Sequence, residues 1–364
     1  MTTTLLARTL SHLEWLVAAR TENPPRNIAE SGIIERLVRE LEGRCTTTVT
    51  DLGNGSINVF ARRGAPRILY NFHLDTVPAA SAWTGSPFAL RIENDRAVGL
   101  GACDIKGAVA AMLSAVEAST GDVALLFSTD EEAGHGRCIE AFLADRPDFD
   151  AVVVAEPTRA HAVLAHRGIG TTLGRFSGRA GHASRADAIA ESANHAAVRW
   201  AVTALDDARD RDGVTSQGLS GIRFNLGRID GGLKPNVVAD STVVRFGVRP
   251  PPGIDPRRIV DELQALATAP GGVSWEDGFI GPSLPHDPEH QVAPARALAT
   301  KLGLPLGDAV DFWTEAALFS ARGYPAVVFG PGDIAQAHAK DEWVLVSELA
   351  SVAATYQRAI QLTR

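Results

Sequence analysis

Arg67-Ile68-Leu69-Tyr70-Asn71-Phe72-His73-Leu74-Asp75 is the stretch on which the fold turns. A short apolar run stops at two side chains that carry chemistry, His73 and Asp75. The arrangement recurs. Val123-Ala124-Leu125-Leu126-Phe127 precedes Asp130-Glu131-Glu132, and Ala151-Val152-Val153-Val154-Ala155 precedes Glu156. Ala326-Val327-Val328-Phe329 precedes His338 by one loop, and Asp104 sits in the glycine turn Gly99-Leu100-Gly101-Ala102-Cys103-Asp104-Ile105-Lys106-Gly107. Brief runs of this kind read as strands buried on both faces. Open α/β sheets collect their ligands beyond the carboxyl ends of such strands. Two histidines and several carboxylates so placed point to one metal centre drawn from the whole chain, and to a hydrolase.

Around this frame, strands and helices alternate through residue 166. That pattern predicts an α/β fold with a mixed, mostly parallel sheet flanked by helices. Helical spacing is expected at residues 3–19 and 27–43, parted by Asn23-Pro24-Pro25, because proline cannot donate a backbone hydrogen bond and biases its predecessor away from helix. The small residues of 107–116 predict a helix that packs closely on the sheet. Near residue 167 the pattern changes. Strands are expected at 171–177, 222–230, 242–248 and 273–276, with helices at 186–208 and 256–267. Their order is βαββαβ, the split ferredoxin-like unit. The expectation is a catalytic domain of residues 1–166 and 279–364, interrupted by a lid and dimerisation domain at 167–278.

Bulk properties bound the function. A chain of 364 residues suits about two domains. At 45% hydrophobic and 21% charged residues it has the make-up of a globular protein with a sizeable core. The net charge of −8, with no Lys/Arg stripe, argues against nucleic acid as a partner. No 18-residue apolar run suggests a membrane span, and residues 1–20 lack the apolar core of a signal peptide. Three scattered cysteines do not make a disulfide framework. A cytoplasmic location is expected.

Each candidate is ambiguous by itself. His73 and Asp75 lie two residues apart, on one side of a strand end, where a carboxylate can orient a ligating imidazole. Asp104 could bridge two cations or merely cap the following helix. Three consecutive acids at 130–132 raise each other's pKa unless a cation or partner absorbs the charge. Glu131 and Glu132 point different ways, so one can ligate while the other moves a proton. As a set, His73, Asp104, Glu132, Glu156 and His338 suit zinc, cobalt or manganese better than calcium. The other histidines (His12, His135, His161, His166, His195, His286 and His290) lack a motif and read as packing or surface residues.

The motifs His73-Leu74-Asp75-Thr76-Val77-Pro78, Gly101-Ala102-Cys103-Asp104-Ile105-Lys106-Gly107, Thr129-Asp130-Glu131-Glu132, Ala155-Glu156-Pro157-Thr158, Gly181-His182-Ala183-Ser184, Gly231-Gly232-Leu233-Lys234-Pro235-Asn236 and His338 resemble the di-zinc aminoacylase/carboxypeptidase superfamily of metallohydrolases. Within it the chain looks like the acetylornithine deacetylase branch. The stretches at 310–316 and 330–338 look most like the variant acting on N-acetyl-L-citrulline. The resemblance implies His73, Asp104 and Glu156 on one metal, and Asp104, Glu132 and His338 on a second. The cofactor would be Zn²⁺ or Co²⁺, one or two ions per subunit. It further implies Asp75 as partner of His73, Glu131 as general base and His182 as oxyanion donor to the partner subunit's site. Asn236 and Arg249 would grip the substrate α-carboxylate, and Glu315 would lie near the substrate. A cis peptide at Asp104-Ile105 and a homodimer are also implied. Two positions depart from the family pattern: Phe246-Gly247-Val248-Arg249 keeps only the arginine, and Thr314-Glu315-Ala316 has Glu for the usual Asp. The expected substrate is an N-acetyl amino acid, citrulline's derivative first and ornithine's as the alternative. A dipeptidase or carboxypeptidase and a non-catalytic metal-binding relative are the rival readings.

Overall fold

Thr4 caps helix α1 (Leu5–Ala18), its hydroxyl accepting the Ala7 amide at 3.2 Å, and the helix buries His12, Leu13, Leu16 and Val17. The computed structural model describes residues 4–26, 28–134, 136–145 and 147–362, so His135 lies outside the described residues. The second expected helix is shorter than its spacing suggested. A 3₁₀ turn at Ala29–Ser31 ends at Gly32, whose φ of 72° breaks the run, and α2 covers Ile33–Leu41. The chain continues through β1 (Thr46–Asp51), β2 (Ile57–Arg63), β3 (Ile68–His73), α3 (Lys106–Glu117), β4 (Val123–Ser128), α4 (Arg137–Ala144) and β5 (Ala151–Val154).

Next come β6 (Ile169–Ser177), β7 (Gly181–His182), α5 (Ala193–Asp210), β8 (Arg223–Gly231), β9 (Val237–Val238), β10 (Ser241–Arg249), α6 (Pro256–Ala265) and β11 (Val273–Gly281). The helix expected over 186–208 is split. A turn at Ala188–Glu191 gives way at Ser192, which is extended and caps α5 by accepting the His195 amide at 3.4 Å. The strand expected at 273–276 runs on to Gly281 through an irregularity between Asp277 and Ile280. The last stretch adds α7 (Pro288–Lys301), α8 (Ala316–Ala321), β12 (Ala326–Val328) and α9 (Val346–Gln361).

These elements form two compact units. The first comprises Met1–Leu164, Glu289–Asp308 and Thr314–Arg364. Among its described residues is a six-stranded sheet in the order β1-β2-β4-β3-β5-β12. Strands β4, β3, β5 and β12 run parallel, while β1 and β2 form an antiparallel hairpin whose second strand joins β4 antiparallel. Every residue of β3, β4 and β5 is buried, which is why these strands read as mostly apolar runs, Asn71 being the polar exception inside β3. Helices α1, α3 and α9 pack on one another, and α4 packs on α8. The parallel strands share a direction, so residues just after their carboxyl ends collect at one edge.

The second unit comprises Ala165–Pro288 and Ala309–Trp313, wider than the span read from the sequence. Its sheet runs β8-β10-β6-β11, antiparallel throughout, in βαββαβ chain order. One face is packed by α5 and α6 around Phe176, Trp200, Val244, Phe246, Ile259 and Leu263.

Candidate metal centre

The strand ends bring the expected ligands together. His73 closes β3 and is 2% exposed. Its Nε2 lies 3.1 Å from Asp104 Oδ1 and 3.9 Å from Glu156 Oε1. The second oxygen of Asp104 lies 3.4 Å from His338 Nε2, which in turn is 3.0 Å from Glu132 Oε1. Two groups result, His73-Asp104-Glu156 and Asp104-Glu132-His338. Within each group the donor atoms lie inside 4.8 Å of one another, and Asp104 belongs to both. The Asp104–Ile105 peptide is cis. Two backbone features let the outer ligands close in. His338 adopts φ 58°, and Gly330 lies so near Glu156 that a Cβ there would come within 2.6 Å of the Glu156 carbonyl oxygen.

Electrostatics fit a cation site. Burial, opposed by hydrogen bonds and charge from Asp104, Asp75 and Glu156, leaves His73 well above its ordinary value. Hydrogen bonds to Asp104 and Glu132 push His338 up to about 10, against burial. Burial would raise Asp104, but its contacts with His338 and His73 hold it far below the usual carboxylate range. Burial and the neighbouring acids raise Glu156 and Glu132. Protons on imidazoles thus hold together a nest of buried carboxylates. A divalent cation is the natural replacement for those protons, and the mixed imidazole/carboxylate donor set suits it.

Glu131 is half-buried beside this nest. Burial, opposed by His73 and reinforced by Glu132, Glu315 and Asp104, holds its carboxyl well above the ordinary range. It is thereby a stronger base than an ordinary carboxylate, suited to take and return a proton. Asp75 is fixed from two sides: its Oδ2 accepts the Asn23 side-chain amide at 2.9 Å and the Glu132 backbone amide at 3.0 Å. His73 Nδ1 lies 3.0 Å from the Asp75 backbone carbonyl and 3.6 Å from its carboxylate, so the main chain is the nearer partner.

Sequence reading missed three supports. Glu342, 1% exposed, accepts the backbone amides of Gly101, Cys103 and Asp104 at 2.9–3.0 Å and so clamps the loop that carries Asp104. It stands immediately before a strand at Trp343–Leu345 that pairs with Arg96–Val98, and only that pairing brings it there. Lys106 is buried at the start of α3, donating to the Ala19 carbonyl at 2.9 Å, and burial pulls its amine down to about 7. Asn23 lies in a proline turn that reads only as a linker.

Glu315 is 1% exposed, and one carboxylate oxygen accepts Asn71 at 2.6 Å and Ser128 at 2.9 Å. The structure therefore holds its side chain against the sheet. Burial, with Asp130 adding to it, lifts the carboxyl from 4.5 to about 7. The folded state then binds a proton that an unfolded chain releases at lower pH. This contribution to stability is complete below about 4.5 and is lost as pH rises through about 7. Glu315→Gln keeps an oxygen for both donors and cannot ionise. Chelator-treated variant is expected to gain stability over the parent at pH 8, by at most on the order of 3 kcal/mol, and to gain less at pH 5.5. Thermal unfolding at both pH values checks this, and an unchanged pH dependence would refute it.

A third His/acid group, His12-Glu40-Glu117, behaves differently. His12 Nε2 lies 3.2 Å from Glu117, and Trp15 donates to His12 Nδ1 at 3.2 Å. Arg36 and Arg44 already face the two acids. It reads as packing between helices.

The remaining expected site residues belong to the second unit. His182 and Asn236 meet in one small ladder, where β7 pairs with β9 and the Ala183 amide donates to the Asn236 carbonyl at 3.1 Å. Both are exposed, and His182 Nδ1 lies 2.7 Å from Ser184 Oγ. Arg249 ends β10 on the sheet face opposite the helices. There it lines a cavity of about 670 Å³ with Arg223, Asn225, Arg245 and Thr171.

Comparison with known proteins agrees with this chemistry. The family model described as Peptidase family M20/M25/M40 matches residues 69–362. An N-acetyl-L-citrulline deacetylase of Xanthomonas campestris pv. campestris is 51% identical over 95% of this chain and 96% of its own length. An acetylornithine deacetylase of Salmonella arizonae is 30% identical over 77% and 76%. Among solved structures, an M20 family metallo-carboxypeptidase of Sulfolobus solfataricus superposes with a TM-score of 0.78 at 16% identity, covering 98% of this chain and 99% of that one, which speaks for the fold alone.

Proposed function

This chain belongs to peptidase family M20/M25/M40, and from that premise we propose that it is a metal-dependent deacetylase converting N-acetyl-L-citrulline to L-citrulline and acetate, a step of arginine biosynthesis. The observation that carries the metal chemistry is the pair of ligand groups sharing Asp104. The relative at 51% identity supports the substrate.

His73, Asp104 and Glu156 would hold one ion, and Asp104, Glu132 and His338 a second, with zinc or cobalt the ions that suit these donors. The chemistry such an ion would supply when bound is polarisation of the acyl carbonyl and a lowering of the pKa of water toward ~7. Glu131 takes the proton of the attacking water and returns it to the leaving amine. Asp75, pinned by Asn23 and the Glu132 amide, and the Asp75 carbonyl keep the His73 ring in place. In this reading residues 167–278 would be a lid, His182 would serve the oxyanion in the partner subunit's site, and Asn236 with Arg249 would bind the free α-carboxylate, for which a guanidinium fork is the natural partner.

A homodimer through the second unit belongs to the same reading. On α5, Val198, Val202 and Leu205 are each about half exposed at helical spacing, and β8 is an edge strand carrying exposed Ile229. Val202→Asp with Leu205→Asp is expected to yield monomers by light scattering; a dimer that survives both changes would move the interface elsewhere.

The test of the function is release of free amine from N-acetyl-L-citrulline and N-acetyl-L-ornithine side by side, after chelation and re-addition of zinc or cobalt. Metal-restored preference for the citrulline compound is the expected result. Preference for the ornithine compound would keep the chemistry and change the substrate. Activity confined to dipeptides would overturn the deacetylase reading, and metal binding without any turnover would make the chain a non-catalytic relative.

A further inference from the structure

Arg167 is the largest fully buried side chain among the described residues. A guanidinium taken wholly out of water costs several kcal/mol unless its charge and donors are matched. Here four bonds match it: Nε donates to Asp311 Oδ1 at 2.5 Å, Nη1 to the carbonyls of Gly221 at 2.6 Å and Arg249 at 3.3 Å, and Nη2 to the Ser220 carbonyl at 2.8 Å. The next residue continues the tie, the Gly168 amide donating to the Pro250 carbonyl at 2.9 Å. The end of β10 is therefore held at two successive carbonyls.

What is held there is one of two arginines that face each other across the ladder. Arg249 stands directly opposite Arg223 in the β8–β10 register, and like charges facing across a ladder destabilise it. Asp311 answers both: its carboxylate is 4.0 Å from Arg223 Nε, and it is the acid whose charge acts on Arg249. The Arg249 guanidinium itself makes no hydrogen bond or ion pair among the described residues and lines the cavity. A free, half-buried guanidinium with a pinned main chain is pre-organised for an anionic ligand.

We propose that Arg167, with Asp311 as its counter-ion, is a positioning residue that holds Arg249 for its grip on the substrate α-carboxylate. This rests on the reading of Arg249 given above. The test compares Arg167→Lys, Asp311→Asn, Asp311→Glu and Arg249→Ala with the parent protein. The substrates are N-acetyl-L-citrulline and its α-carboxamide, which lacks the charge Arg249 would meet.

Arg167→Lys and Asp311→Asn are expected to raise KM for the acid about tenfold with little change in kcat. They should leave kcat/KM for the carboxamide unmoved, and Asp311→Glu should restore most of the loss. Asp311 has an exposed carboxylate (64%), so its variants bear on the question even if Arg167→Lys folds poorly. If Arg249→Ala raises KM while Asp311→Asn leaves it unchanged or lowers it, Asp311 merely competes with substrate and the positioning role is wrong. Equal losses on both substrates would mark a structural role only and overturn the proposal. If Arg249→Ala itself leaves KM for the acid unmoved, the carboxylate reading of Arg249 falls, and this inference with it.

Discussion

Glu131→Gln is expected to lower kcat by about 10³-fold while leaving metal content unchanged, the scale of loss that follows removal of a general acid–base group. Glu131 belongs to neither ligand group, so the donors at His73, Asp104, Glu132, Glu156 and His338 stay in place. Burial raises its carboxyl, and the surrounding Glu132, Glu315 and Asp104 raise it further, with His73 opposing. A carboxylate so placed is a better base than an ordinary surface acid. Glutamine matches its shape and cannot carry the proton, so substrate binding should change little. Metal analysis after dialysis, with steady-state kinetics on the same sample, separates the two effects. Near-normal turnover would remove Glu131 from the proton path, and a parallel loss of metal would make it a ligand.

Asp104→Ala is the second large effect. Its two oxygens face His73 and His338, one on each side, so a single substitution disrupts both ligand groups. Glu156→Ala or Glu132→Ala disrupts only one. Loss of an outer partner of a ligand typically weakens metal binding 10–100-fold, and loss of a shared ligand should exceed roughly 10²-fold. The expected result is protein with little bound metal, no measurable turnover and no rescue at modest zinc or cobalt. The single-group variants should keep part of the metal and respond to added ion. Metal binding should also strengthen as pH rises, because the imidazoles give up their protons to bind it. Full metal content in Asp104→Ala would rule out the shared-ligand arrangement.

Both results depend on supports that differ in how far the sequence reveals them. Strands β3, β4 and β5 were legible because a strand buried on both faces is mostly apolar, a property of six or fewer adjacent residues. The candidate ligands other than Asp104 were legible because each follows such a run, His338 after one loop, and parallel strands deliver their ends to one edge. The short breaks were not. Ser192 ends one helical turn and caps the next helix, a choice between local hydrogen bonds that helical spacing does not register.

The sequence alone determined the α/β class, the four residues that converge around Asp104 and the membership of the family, since these rest on local periodicity and motif. Only the tertiary structure decided which side chains hold that convergence in place. Glu342 reaches the Asp104 loop across 238 residues, Glu315 meets Asn71 across 244, and Arg167 meets Asp311 across 144. Nothing near these residues in the chain marks the partners they meet, because a buried charge is made tolerable by partners that topology supplies, and topology is settled by the packing of the whole sheet.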